Sequence, residues 1–160
     1  MSEGLKKIAS MVILRNESKY LLMKRAKEPN IGKYLPVGGK LEPFETPRAC
    51  AIRETYEETG ISISEPKFYG TLVETSPTKY NWMVFVYVAD VDYTEAPECE
   101  EGKLEWIEDS DLDNIPTPAS DFHIYQYIKE DKNFAFCASY DEQLNLLEMR
   151  DEIRNQLLSI

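Results

Sequence analysis

Hydrophobic positions fall into short β-like runs broken by polar turns, with one clear helical stretch between them. Ile8–Leu14 is apolar and rich in β-branched residues, Asn16-Glu17-Ser18 interrupts it, and Tyr20–Met23 resumes it. That pattern predicts a β-hairpin leading into Lys24-Arg25. Residues 27–33 carry Pro29, Asn30 and Gly32 and read as a loop, followed by a short apolar stretch, Tyr34–Val37, before Gly38-Gly39. Thr46-Pro47 is a helix start, a hydroxyl cap followed by proline where a missing N–H costs nothing. The helix should run to Thr59 and end at Gly60, which suits a left-handed terminal residue. Phe68–Val73, Trp82–Val91 and Leu104–Ile107 read as strands, Tyr93–Gly102 as an acidic loop, and Asp111–Ile115 as a turn or short helix. Apolar residues at Phe122, Ile124, Tyr125 and Ile128 give Ser120–Lys129 an approximate helical spacing. Phe134–Tyr140 and Leu144–Met149 predict a second hairpin, and Arg150–Leu158 a terminal helix. Strands mixed with few helices, without strict alternation, predict an α+β domain with a mixed sheet between helices.

Composition narrows the functions open to such a domain. The 160 residues fit one domain, 1–160, with no repeat or linker. With 42% hydrophobic residues the chain can build a core, and no run approaches the roughly 20 apolar residues of a membrane span. A soluble, cytoplasmic protein without a membrane partner is expected. Cys50, Cys99 and Cys137 are odd in number and scattered, so neither a disulfide framework nor a zinc ribbon follows. The net charge of −11 repels a nucleic acid polymer. It also repels small phosphorylated ligands, unless a bound cation reverses the local sign.

The chemistry concentrates in residues 38–61, GGKLEPFETPRACAIRETYEETGI. On a helix, Glu58 lies about 40° to one side of Glu54 and Glu57 about 60° to the other. Ala49, Ile52 and Tyr56 then point the opposite way, toward the sheet, while the small Cys50 and Ala51 flank the acidic face. Two carboxylates about 5 Å apart repel by roughly 3 kcal/mol at an effective dielectric of 20. A divalent cation turns that repulsion into attraction, and an all-oxygen donor set selects a hard ion, Mg²⁺ or Mn²⁺. His123 is read as a surface or packing residue, not a ligand. Alone, the three glutamates read first as a solvated face, since charge clusters on helices are common.

The spacing around them decides. Gly39, Glu45, Arg53-Glu54, Glu57-Glu58 and Gly60 resemble the Nudix box, the signature of the Nudix hydrolases. Fixed identities at fixed offsets of this kind arise by chance in roughly one chain in a million. Thr55, where the family carries an aliphatic residue, departs from the pattern at a packing position. The resemblance implies a Nudix fold, an α/β/α sandwich with a mixed β-sheet and β-hairpins. It also implies hydrolysis of a nucleoside diphosphate derivative by water attack on phosphorus, assisted by Mg²⁺ or Mn²⁺.

Carried over residue by residue, Glu54, Glu57, Glu58 and the Gly38 carbonyl would be metal ligands. Arg53 would hold the carboxylates by pairing with Glu45 or Glu57, and Lys40 would touch phosphate. The general base would be Glu54 or, in the acidic loop, Glu101, with Glu100 and Glu98 as alternates. Lys24 and Arg25 end the first hairpin where relatives place a basic residue near substrate. Asp121 falls where enzymes that remove oxidised guanine triphosphates place an acid reading a purine edge; the other reading is a helix N-terminal acid favoured by the dipole. Leu35 and Ser120 stand where some of those enzymes carry asparagine. The expected substrate is therefore a (d)NTP or 8-oxo-dGTP giving NMP and pyrophosphate, with ADP-ribose or dinucleoside polyphosphates as the alternative. The oligomeric state is expected to be monomer or homodimer. A nucleotide-sensing module of the same fold usually loses box carboxylates, and all are present here. A calcium loop at Asp109–Asp113 fails because Asn114 and Ser120 replace the turn glycine and closing glutamate.

Overall fold

In the computed structural model, which describes residues 4–160, the strand pattern forms one connected mixed sheet. The first hairpin is β1 (Lys7–Asn16) and β2 (Lys19–Arg25), followed by β3 (Tyr34–Leu35), β4 (Val37–Lys40) and helix α1 (Pro47–Thr59). Next come β5 (Lys67–Thr75), β6 (Trp82–Asp90), β7 (Glu98–Cys99) and β8 (Gly102–Glu108). A 3₁₀ turn over Asp109–Asn114 leads to α2 (Ala119–Lys129), and β9 (Phe134–Tyr140), β10 (Leu146–Asp151) and β11 (Gln156–Leu157) complete the chain. The sheet order is β11-β10-β9-β5-β6-β1-β2-β8-β7. β1 runs parallel to β6 and β5 parallel to β9, while the other pairs are antiparallel.

Successive side chains of a strand point to opposite faces, and β1 uses this to serve two cores. Val12 and Leu14 pack with Leu21, Val37 and Ala51 of α1. Ile13 packs on the other side with Ile124, Tyr125 and Ile128 of α2. The result is the expected sandwich, helix on sheet on helix. Among the described residues, no helix is long and apolar enough to cross a membrane.

One topological detail creates the site. β6 occupies one edge of β1 over residues 7–15, so β4 and β2 must share the other. β4 takes residues 9–12 and β2 takes residues 14–16. The sheet forks there, and a cleft opens between the two branches.

Two expectations are corrected. The buried face of α1 is Cys50, Ala51, Thr55 and Thr59; of the three residues expected there, the half-buried Ile52 packs against the edge of this core, while Ala49 is exposed and Tyr56 is 59% exposed. Small side chains let the helix approach β1 and β4 closely. Ser10 Oγ donates to the Pro47 carbonyl at 2.7 Å and Cys50 Sγ to the Gly39 carbonyl at 3.4 Å. Cys50 and Ala51 therefore lie under the helix and leave no open space beside the acids.

The C-terminal stretch is not a helix. β10 continues to Asp151, and β11 folds back on it through residues 152–155. The fully buried Asp151 carboxylate accepts the backbone N–H groups of Ile153 and Arg154 at 3.0 and 3.1 Å, the local bond that competes with helix formation. Tyr127 of α2 anchors the same carboxylate by donating its hydroxyl at 2.6 Å.

Candidate active site

Helix α1 begins as its sequence dictates. Thr46 Oγ1 accepts the Ala49 N–H at 3.1 Å, Pro47 opens the first turn, and Gly60 closes the helix at φ 74°. Placed on the rim of the forked sheet, the helix presents Arg53, Glu54 and Glu58 to the cleft.

Arg53 organises the acids. Its Nε and Nη2 donate to both oxygens of Glu45 at 2.7 and 2.8 Å, and Nη1 donates to Glu54 at 2.8 Å and Glu57 at 3.2 Å. Nη2 also reaches the Lys40 carbonyl at 3.1 Å. The expected pairing with Glu45 or Glu57 is thus a pairing with both, and with Glu54. The guanidinium fork holds Glu45 down at about 2, helped by the Glu42 backbone N–H.

Glu58 is the opposite case. Its Oε1 accepts the Gly38 N–H at 3.3 Å, while Oε2 is buried with no hydrogen-bond partner among the described residues. Burial, then repulsion from Glu101, pushes Glu58 up to about 8. A buried acceptor oxygen without a donor fits a hard cation. The described residues do not gather three of these donors into a ready-made cage. Arg53 draws Glu54 and Glu57 to one side instead, and Glu57 stands half exposed.

Two glycines make room. A Cβ on Gly39 would lie 2.4 Å from Glu54 Cδ, and one on Gly38 would lie 2.2 Å from the Ser10 carbonyl oxygen. Gly39→Ala should therefore displace a flexible carboxylate, cutting turnover at least tenfold with little change in stability. Gly38→Ala meets backbone and should cost roughly 2 kcal/mol of stability through overpacking. Urea denaturation of both variants, alongside initial rates, separates the two effects.

The cleft has a volume of about 670 Å³, within the usual range for small-molecule sites. Glu101 and Arg25 line it, with Arg25 Nη1 3.7 Å from the Glu101 carboxylate, and Lys40 lines its rim. Lys24 does not. It alternates with Met23 and Arg25, and its ammonium lies over the Tyr34 ring at 5.8 Å on the other face of β2. Asp121, in the first turn of α2, is only 3% exposed and does not line the cleft either. Its Oδ2 has no hydrogen-bond partner among the described residues, and burial pushes it up to about 8.

A carboxyl lifted from its ordinary value binds a proton in the fold that the unfolded chain has released. Stability should therefore fall as pH rises from about 4 to about 8 in the wild type. Thermal melts of Asp121→Asn over that window should show a markedly shallower decline. His123 is buried and shares a 2.8 Å hydrogen bond with the Ser159 carbonyl, a packing role.

Residues that sequence reasoning missed complete the cleft. Glu74 of β5, Tyr80 of the following turn and Trp82 at the start of β6 line the cleft together with Met11 and Val84. The alternation of β5 placed Glu74 on an inward face, which was the available signal.

A NUDIX-domain sequence profile matches residues 5–128. The chain belongs to the Nudix family, enzymes that hydrolyse pyrophosphate bonds with the help of divalent metal ions. It is 33% identical over 145 residues to the uncharacterized Nudix hydrolase YvcI of Bacillus subtilis, covering 86% of this chain and 89% of that protein. The crystal structure of a MutT protein from Bacillus halodurans superposes with a TM-score of 0.80 at 26% identity, covering 90% of this chain and 96% of that one. Diphosphoinositol polyphosphate phosphohydrolase 3-alpha of Mus musculus is 33% identical over 86 residues, 52% of this chain and 51% of that protein.

Proposed function

We propose that the protein hydrolyses a purine (deoxy)nucleoside triphosphate, 8-oxo-dGTP among them, to the monophosphate and pyrophosphate with Mg²⁺. One observation carries this reading: a single cleft is lined both by the carboxylates Glu54, Glu58 and Glu101 and by the apolar and aromatic side chains of Met11, Trp82 and Val84. A nucleotide combines the same two chemistries, a polyanion that a cation can tie to carboxylates and a flat π-system that an aromatic wall can take. Similarity to a MutT protein agrees with it.

The residues divide the work. Glu54, Glu57, Glu58 and the Gly38 carbonyl would hold the cation, which neutralises charge on the phosphates and acidifies a bound water. Arg53 keeps the carboxylates oriented. Arg25 and Lys40 supply positive charge for phosphate oxygens in an otherwise anionic protein. Glu101 takes the water proton: Glu54 already has an oxygen engaged by Arg53, whereas Glu101 meets only a distant Arg25. The water oxygen bonds to phosphorus, the anhydride bond breaks, and pyrophosphate leaves with the electron pair.

The test is a panel of canonical and oxidised dNTPs, ADP-ribose and dinucleoside polyphosphates with Mg²⁺ or Mn²⁺, read by monophosphate and pyrophosphate release. Purine triphosphates should give the highest kcat/KM. A tenfold preference for ADP-ribose or a dinucleoside polyphosphate would overturn the substrate assignment. Glu101→Gln should lower kcat at least a hundredfold with KM little changed.

A further inference from the structure

The cleft wall away from the box carries a charged group the hydrolytic chemistry does not need. Glu74 on β5 is 5% exposed and still lines the cleft. Tyr140 donates its hydroxyl to Oε2 at 2.5 Å. Tyr80 donates across both oxygens at 3.2 and 3.3 Å. Among the described residues no cation forms an ion pair with it. Lys6 stands near, but its ammonium bonds the Glu74 backbone carbonyl, Thr75 and Asn81. An ionised carboxylate has about four acceptor positions. Two phenols leave Oε1 underused, in a residue that lines the cleft.

A second buried acid, Asp121, belongs to the same region. Asp121 lies behind, its Oδ2 unpartnered, and both its own burial and the charge on Glu74 favour its protonated form. Burial raises Glu74 as well, but two phenol donors and the Lys6 charge oppose that. Glu74, unlike Asp121 Oδ2, has hydrogen-bond donors on both carboxylate oxygens. Beside it, Trp82 pairs with Glu74 across the β5–β6 ladder, and the Tyr80 ring meets the Trp82 ring edge-on at 6.4 Å. A flat ring lying on that aromatic wall would bring its edge to the carboxylate.

We propose that Glu74 is the specificity-determining residue of the cleft, accepting the two adjacent N–H donors, ring and exocyclic, of a guanine-type base edge. The assignment rests on the nucleotide reading above and moves the base-reading acid from Asp121 to Glu74. Guanine offers N1–H and an N2 amino group side by side, and a carboxylate takes both. Adenine presents a ring acceptor at that position and meets the carboxylate with lone pairs opposed. Hypoxanthine keeps N1–H but lacks the amino group. Oxidation at C8 leaves this edge unaltered, so Glu74 selects guanine without sensing the lesion.

The experiment compares kcat/KM for dGTP, dITP and dATP with Mg²⁺ in the wild type and in Glu74→Gln. It adds metal-free binding of GMP and IMP read by Trp82 fluorescence in a Trp106→Phe background. The wild type should favour dGTP over dITP about tenfold. Glu74→Gln should lose on the order of 10- to 100-fold on dGTP, the range of one bidentate base contact, while dITP and dATP change less than about threefold. Equal losses on all three substrates would mark Glu74 as merely structural and overturn the proposal. So would a wild type that treats dGTP and dITP alike, a result that stands even if the variant does not fold. If no triphosphate is cleaved but GMP binds better than IMP and Glu74→Gln erases the difference, the substrate reading fails and the base-reading role survives. If GMP and IMP bind equally or not at all, the role of Glu74 fails too.

Discussion

Glu58→Gln should abolish most turnover, by on the order of a thousandfold, and at the same time raise the melting temperature of the metal-free protein. The two effects share one cause. In the fold Glu58 has one oxygen on the Gly38 N–H and one buried oxygen with nothing to accept, and burial pushes its carboxyl to about 8. Because that value lies above the unfolded one, near 4.5, the folded protein holds a proton the unfolded chain has lost. Its stability declines as pH rises between the two. Glutamine has no charge to bury, so the gain should be largest near pH 8, several degrees for a chain of this size, and small near pH 4.5. Mg²⁺ should raise the wild-type melting temperature and leave that of the variant unmoved, since a ligand stabilises only the state that binds it. Differential scanning calorimetry at the two pH values, with and without Mg²⁺, reads all of this. A variant that melts like the wild type and turns over normally would refute the assignment of Glu58 to cation binding.

Arg53→Ala should be damaging in both respects. One guanidinium holds Glu45, Glu54 and Glu57 and ties them to the Lys40 carbonyl. Removing it leaves Glu45 and Glu54, with side chains 12% and 16% exposed, as partly buried carboxylates without their cation. The loss should be about 2 kcal/mol, below the 3–5 kcal/mol of a fully buried broken pair because water reaches this one. Activity should fall roughly 10- to 100-fold, as for other groups that orient metal ligands. Lysine restores charge but not the planar fork and should recover only part of either. The pH dependence has a definite sign. Glu45 is held at about 2, below its ordinary 4.5, so the pair stabilises the fold above about pH 4.5 and is lost as pH falls toward 2. The stability gap between wild type and Arg53→Ala, measured by urea denaturation, should therefore shrink from pH 7 to pH 3. A constant gap would show that packing, not the ion pairs, carries the effect.

Much of this site is legible in the sequence. Thr46-Pro47 and Gly60 marked the two ends of the helix and the box spacing marked the acids it carries, because capping and helical periodicity act within one or two turns. The same reasoning turned the helix wrongly. It sent Ala49 and Tyr56 to the sheet with Ile52, whereas the interface is centred on Cys50, Ala51 and Thr55, which are small enough for close approach, and Ile52 packs only at its edge. The 100° rotation rule places residues relative to each other, not relative to a neighbour. Similarly, Lys24 and Arg25 are equivalent as a basic pair in sequence, but strand alternation sends only Arg25 into the cleft.

What the amino-acid order alone determined was local: the ends of α1, the alternation of β1 that feeds two cores, and the identity of the acidic cluster. These follow from forces acting between residues close along the chain. Only the tertiary structure decided which acids meet water and which do not. Glu58 Oε2 is buried with no hydrogen-bond partner among the described residues, and Glu74 lines the cleft from β5, two strands away from β1. Asp121 was sealed in at the start of α2, and Asp151 turned an expected helix into a strand. Each of these depends on desolvation and on contacts across 20 to more than 60 positions in the chain.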